Sequence, residues 1–138
     1  MSLTREEYET EKALAEELDF VLDDFAVTPY EEAATLCNGI GAEWMPPVIR
    51  KALSKLHPSL KPVADNHDMN FSHADGSNFM FKQSNEAFKI NGYKVAKHKY
   101  GVFNPLRYWV MYKARQYMLI LNKFGGVAYK QACKGNNK

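Results

Sequence analysis

A chain of 138 residues, 46% of them apolar, is long enough for one domain with a real core. Its two cysteines, Cys37 and Cys133, exclude a disulfide-framed scaffold; they allow at most one bridge and fit a reducing compartment. The net charge of +2 hides a polarity: residues 1–81 carry 15 acids against 6 bases, whereas residues 82–138 carry 12 bases against 1 acid. A basic half of that kind suits anionic headgroups or nucleic acid unless the acidic half neutralises it within the fold.

Taken in order, the chain predicts helices throughout, with no strand alternation, internal repeat or low-complexity linker. Thr4-Arg5-Glu6-Glu7 is a capping-box pattern, after which Tyr8, Leu14, Leu18, Val21, Leu22 and Phe25 recur at mostly helical spacing. A first helix is therefore expected to run to about Asp24. Thr28-Pro29 predicts an N-cap and first position for a short helix that stops near Cys37, at Asn38-Gly39. The apolar segment Val48 to Leu56 closes at His57-Pro58, because the residue before a proline disfavours continued helix. The next helix starts at Ser59 or Leu60, carries Val63, His67 and Phe71 at fourfold spacing, and ends at Asp75-Gly76. Ser77 caps another, with Phe79, Met80, Phe81, Ala87 and Phe88 apolar, expected to break at Asn91-Gly92 before a polar connector from Tyr93 to Phe103. Asn104-Pro105 opens a long helix to about Phe124. Its stripe of Leu106, Val110, Ala114, Tyr117, Leu121 and Phe124 is expected in the core, while Arg107, Lys113, Arg115 and Lys123 interrupt any bilayer span. Gly125-Gly126 ends it before a short basic tail.

The stretch that carries chemistry is His67-Asp68, preceded by the loop Cys37-Asn38-Gly39-Ile40-Gly41-Ala42. A neutral imidazole takes a proton from water, and an adjacent carboxylate holds a hard cation that polarises an ester carbonyl. Loop carbonyls near Asn38, Gly39 and Gly41 together with Asp68 suit calcium; the plain alternative is that Asn38-Gly39 only caps a helix. His73 lies on a different helical face from His67, His98 is expected in solvent between Lys97 and Lys99, and Cys37 is expected to be a small buried residue. The chain has no phosphate-cradling glycine loop, Cys-x-x-Cys or nucleophile elbow, which argues against a nucleotide enzyme.

The order of parts is a glycine loop, an apolar helix, a helix bearing His-Asp, a turn and a second helix containing Phe81-Lys82-Gln83-Ser84-Asn85-Glu86-Ala87-Phe88. It resembles the phospholipase A2 superfamily, above all its short, disulfide-poor viral, bacterial and phage members, over roughly Cys37 to Asn91. Length and the helices read along the chain predict an all-α single domain, 1–138, of about five to six helices, with an N-terminal helix section over 1–27 and the long apolar helix over 104–124, in which the resemblance places a phospholipase A2-like core over 37–91. The resemblance also implies that His67 is the general base for water attacking the sn-2 ester of a glycerophospholipid. Asp68 with the oxygens of Asn38, Gly39 and Gly41 would hold Ca2+, and Trp44, Met45 and Val48 would admit acyl chains. The implied partner is a phospholipid surface, anionic by preference, with no nucleic acid. Met1 to Glu7 lack a signal-peptide pattern, so a bacterial cytoplasm or delivery by a phage or secretion system is the expected location.

Two residues depart from the family. The second Asp, which accepts the other ring proton of the catalytic His, aligns with Asn85, and the Tyr four residues after the His is Phe71. Glu86 replaces that Asp only if the helical register differs, and Tyr93 or Tyr100 is a candidate for the lost hydroxyl. Three readings follow: a calcium-dependent lipid esterase with weak or altered activity; a catalytically impaired phospholipase-like interaction or virion-associated module; and a basic helical nucleic-acid binder using Lys94, Lys97, Lys99 and Tyr100, which no recognised motif supports.

Overall fold

In the computed structural model, which describes residues 3–37 and 47–134, helix α1 (Arg5–Glu17) begins at the capping box. Thr4 Oγ1 accepts the Glu7 N–H and Glu7 Oε1 accepts the Thr4 N–H, both at 3.1 Å. The helix stops seven residues short of Asp24. Asp19 adopts a left-handed φ of +55°, the Phe20 N–H reaches the Ala15 carbonyl at 3.0 Å and the Asp19 N–H reaches that of Glu16 at 3.2 Å. That is the usual glycine-type helix stop, with Asp in the glycine position. The following loop is held by three buried asparagines. Asn66 and Asn70 both donate to the Leu22 carbonyl, and Asn66 accepts the Asp24 N–H. Asn91 accepts the Val21 N–H at 2.7 Å and returns a bond to the Val21 carbonyl at 3.0 Å.

Helix α2 (Tyr30–Leu36) starts one residue later than Thr28-Pro29 predicts, with Pro29 at the N-cap. The buried Thr28 hydroxyl has no partner among the described residues and does not cap, while its carbonyl accepts the Tyr8 hydroxyl. Helix α3 (Pro47–Ser54) precedes a 3-10 turn, Pro58–Leu60, entered at His57, whose Nδ1 accepts the Ser59 N–H. Helix α4 (Lys61–His73) leads through Gly76, at φ +85°, to α5 (Asn78–Lys99), capped by Ser77 as expected.

Helix α5 does not break at Asn91-Gly92. It runs 22 residues and absorbs most of the expected connector. Asn91 is there for its clamp on Val21, and Gly92 because helix α6 (Pro105–Phe124) passes so close that a Cβ on Gly92 would lie 2.5 Å from the Ala114 Cβ. Both residues serve tertiary packing, which overrides their usual role as helix punctuation. The expected basic tail is also helical. Helix α7 (Gly126–Lys134) folds back on α4, and Tyr129 and Cys133 join Phe71 and Phe81 in a small second cluster beside the main core.

The described residues thus form an all-α fold of seven helices, more than the five to six expected, because the tail contributes one. Both cysteines are free: Cys37 Sγ donates to the Asp65 carbonyl and Cys133 Sγ to that of Phe71. On α6, Val110, Ala114, Tyr117 and Leu121 are buried as expected, but Leu106 and Phe124 are exposed, as are Tyr108, Trp109, Tyr112 and Leu119 on the opposite face. No helix among the described residues is long and apolar enough to cross a membrane.

Candidate functional site

Helix α4 has three working faces, spaced as 3.6 residues per turn requires. Asn66 and Asn70 face the loop after α1; Lys61, Asp65 and Asp68 face α1 and the end of α2; Val63, His67 and Phe71 face the interior. His67 is buried, its ring 4.1 Å from that of Phe71 and edge-on to Phe88 at 5.6 Å. Its Nε2 lies 2.9 Å from Asn85 Oδ1, so the two residues the resemblance pairs do meet across α4 and α5. Burial without an anionic partner pushes His67 down to about 4, the bond to Asn85 only partly opposing it.

The Asn85 bond belongs to a chain with a direction. Asn122 Nδ2 donates to Met118 Sδ at 3.1 Å, and a thioether only accepts. Asn122 Oδ1 therefore faces Asn85, which donates its Nδ2 at 2.9 Å and leaves Oδ1 toward His67. His67 Nε2 must then carry the proton, and Nδ1 holds the lone pair of a neutral base. Asn122 and Met118, both on α6, were not singled out by motif, since nothing in sequence ties them to a residue 37 positions upstream.

Asp68 is one position, about 100°, around the helix from His67. It is half-buried, and a thiol, a carboxylate and a carboxylate from Cys37, Asp65 and Asp68 place ligating atoms within 4.8 Å of one another. Burial, reinforced by the charge of Asp65, pushes Asp68 up to about 8. A hard cation against Asp68 would offset that cost. Burial also pushes the Cys37 thiol far up, so without an ion it stays protonated, and the oxygen donors of the group are the carboxylates of Asp65 and Asp68. Asn38, Gly39 and Gly41, the expected carbonyl ligands, lie outside the described residues, as do Trp44 and Met45; Cys37, which directly precedes them, sits beside Asp68.

Asp65 is held separately. Lys61 Nζ bridges Asp65 at 2.8 Å, Glu11 at 3.2 Å and Glu7 at 3.4 Å, and burial together with Asp65 pushes Glu11 up to about 9. The Lys61-Asp65 spacing is readable as a helical pair, but Glu11 joins it only through the packing of α1 on α4.

Of the proposed substitutes for the missing partners, none reaches His67. Glu86 pairs with Lys89, and the Tyr100 hydroxyl pairs with Ser59 Oγ at 3.1 Å. Tyr93 is half-buried against the main core. The hydroxyl that does feel the site is that of Tyr117 on α6, pushed up by burial and by the charge of Asp68; its ring lies 4.9 Å from Phe88. Tyr117 also lines a cleft of about 300 Å³ between α3 and α6, with Val48, Leu56 and Ile120 apolar and Lys51 and Lys55 on its wall. Val48 is the one expected acyl-contact residue within the described part of the chain, and it is half in solvent. His73 instead pairs with Glu32 and Asp24, and His98 is exposed near Glu17.

Against known proteins, the chain matches no family model, no curated protein and no solved structure.

Proposed function

We propose that this protein is a phospholipase A2-like esterase that hydrolyses the sn-2 ester of glycerophospholipids in a calcium-dependent manner. The observation that carries the reading is the buried His67-Asn85 pair, oriented through Asn122 so that Nδ1 holds the lone pair of the ring. In this reading His67 Nδ1 removes a proton from the attacking water and later returns it to the leaving alkoxide. Asn85 holds the ring, Phe71 and Phe88 exclude water from its faces, and Asp68 with carbonyls of Asn38, Gly39 and Gly41 would hold the ion. Bound calcium would supply electrostatic stabilisation of the developing oxyanion. The α3–α6 cleft, apolar at Val48 and Ile120, supports an acyl chain near Tyr117.

One observation favours the second reading, an impaired phospholipase-like interaction module. Asn85 cannot stabilise an imidazolium as a carboxylate does, and the loss of such a partner costs on the order of 10² to 10⁴ in rate in comparable dyads. The test is fatty-acid release from anionic vesicles, with calcium and with chelator, by the wild type, His67→Gln and Asn85→Asp. Calcium-dependent release that disappears in His67→Gln supports the esterase. Release only from Asn85→Asp supports the impaired module, and silence from all three refutes hydrolysis.

A further inference from the structure

The connector between α5 and α6 is built against the ordinary logic of turns. The Asn104 N–H bonds the Gly101 carbonyl at 3.0 Å, which closes a β-turn whose two central residues are Val102 and Phe103. Such positions favour Pro, Gly, Asn, Asp or Ser, yet Phe103 stands 97% exposed. The turn is pinned: the Tyr108 hydroxyl donates to the Val102 carbonyl at 2.7 Å, and Asn104 Oδ1 caps α6 through the Leu106 N–H. The tip is therefore presented by the fold rather than left loose.

Trp109 and Tyr112 lie with ring centroids 5.8 Å apart on the solvent face of α6, about half exposed, with Lys113 Nζ 4.9 Å over the Trp109 ring. Lys97 and Lys99 at the end of α5 and Arg115 on α6 are exposed, and no Asp or Glu follows Glu86 in the chain. Among the described residues, the acidic side chain paired at this end is Glu17, beside His98. Apolar residues on an exposed turn, amphipathic rings on the first turns of the helix that follows and exposed cations on the two helices it joins match the layers of an anionic bilayer surface: acyl boundary, headgroup level and phosphate.

The geometry points to a membrane-docking surface in which Val102 and Phe103 enter the acyl boundary, Trp109 and Tyr112 lie at headgroup level, and Lys97, Lys99, Lys113 and Arg115 meet anionic headgroups. It rests on the lipid reading above for the class of partner, but not on catalysis. A nucleic acid would use the rings and the cations but has no place for an exposed Val-Phe tip.

The experiment uses the full chain carrying His67→Gln, in chelator, so that hydrolysis is absent. It measures flotation with phosphatidylglycerol-containing vesicles and, in a Trp44→Phe background that leaves Trp109 as the one tryptophan, quenching of its fluorescence by brominated acyl chains. Binding is expected to fall with added salt, the Trp109 emission to be quenched on binding, and affinity to drop about tenfold or more on adding Phe103→Ser, with helicity and melting unchanged. The proposal is overturned by absent vesicle binding, by binding indifferent to Phe103→Ser, by Trp109 emission that binding leaves unquenched, by preferential binding of an oligonucleotide, or by a Phe103-dependent self-association that replaces vesicle binding. Vesicle binding by this chain together with no fatty-acid release from the wild type would leave the surface standing and remove the esterase.

Discussion

His67 makes a sharp thermodynamic prediction through its contribution to the pH dependence of stability. Its ring is 5% exposed, faces an amide and two phenyl rings, and has its pKa lowered by burial to about 4 from the ordinary 6.5. Well above pH 6.5, from about pH 7.5 upward, the ring is neutral in both folded and unfolded chains and costs almost nothing. As pH falls through the interval between the two values, the unfolded chain takes up a proton that the folded chain refuses, so the folded state loses stability until the folded value is passed. The two pKa values give a loss of about 2 kcal/mol at pH 5 and about 3 kcal/mol at pH 4. Glu11 and Asp68, both pushed up, act in the opposite direction over higher pH, so the quantity to measure is the difference between wild type and His67→Gln. Urea unfolding of both chains at steps from pH 7.5 to 4 should show the wild type losing that margin relative to the variant. A flat difference would refute the reasoning, for it would mean that His67 is either solvated or already paired with an anion. In the Asn85→Asp background the same difference should shrink or reverse, because a carboxylate 2.9 Å from Nε2 favours the imidazolium.

Gly92→Ala should destabilise the fold by about 1–3 kcal/mol in thermal or urea unfolding, since its Cβ would meet the Ala114 Cβ at 2.5 Å, and Ala114→Gly should recover part of that loss. Asn91→Leu should cost about 2–4 kcal/mol by the same measurements, because it leaves both backbone groups of Val21 without their partner. Calcium at millimolar concentration should raise the melting temperature of the wild type but not of Asp68→Asn. In chelator at pH 7, Asp68→Asn should itself melt higher than the wild type, because it removes a carboxyl that burial holds in its uncharged form.

Much of the fold was written locally. The capping box at Thr4, the His57-Pro58 boundary, the Ser77 cap and the Asn104-Pro105 start are interactions between residues two to four apart, and such signals survive into the folded chain because nothing distant competes for the same groups. The pairing of His67 with Asn85 was legible for a different reason, as a spacing matched to a known helix pair. Where the readings failed, a distant residue had claimed the local group. Asn91-Gly92 looks like a helix stop until Val21 takes the amide and Ala114 takes the space of the missing side chain. The α1 terminus moved back to Glu17 because Asp19 accepts a left-handed φ and Asn66, Asn70 and Asn91 secure the loop that follows.

The sequence by itself determined that this is a helical domain with a histidine and a carboxylate adjacent on one helix, because period and capping are short-range physics. Only the tertiary structure decided what those residues meet: that His67 finds an amide whose orientation is set by Asn122 and Met118, that Asp68 turns to Cys37 and Asp65, that the basic tail becomes a helix sealing Phe71, and that Phe103 is held in solvent. The deciding contacts, His67 to Asn85, Asn85 to Asn122 and Asp68 to Cys37, join residues 18 or more positions apart in the chain. Proton position, desolvation and exposure depend on distances through space, which no spacing along the chain encodes.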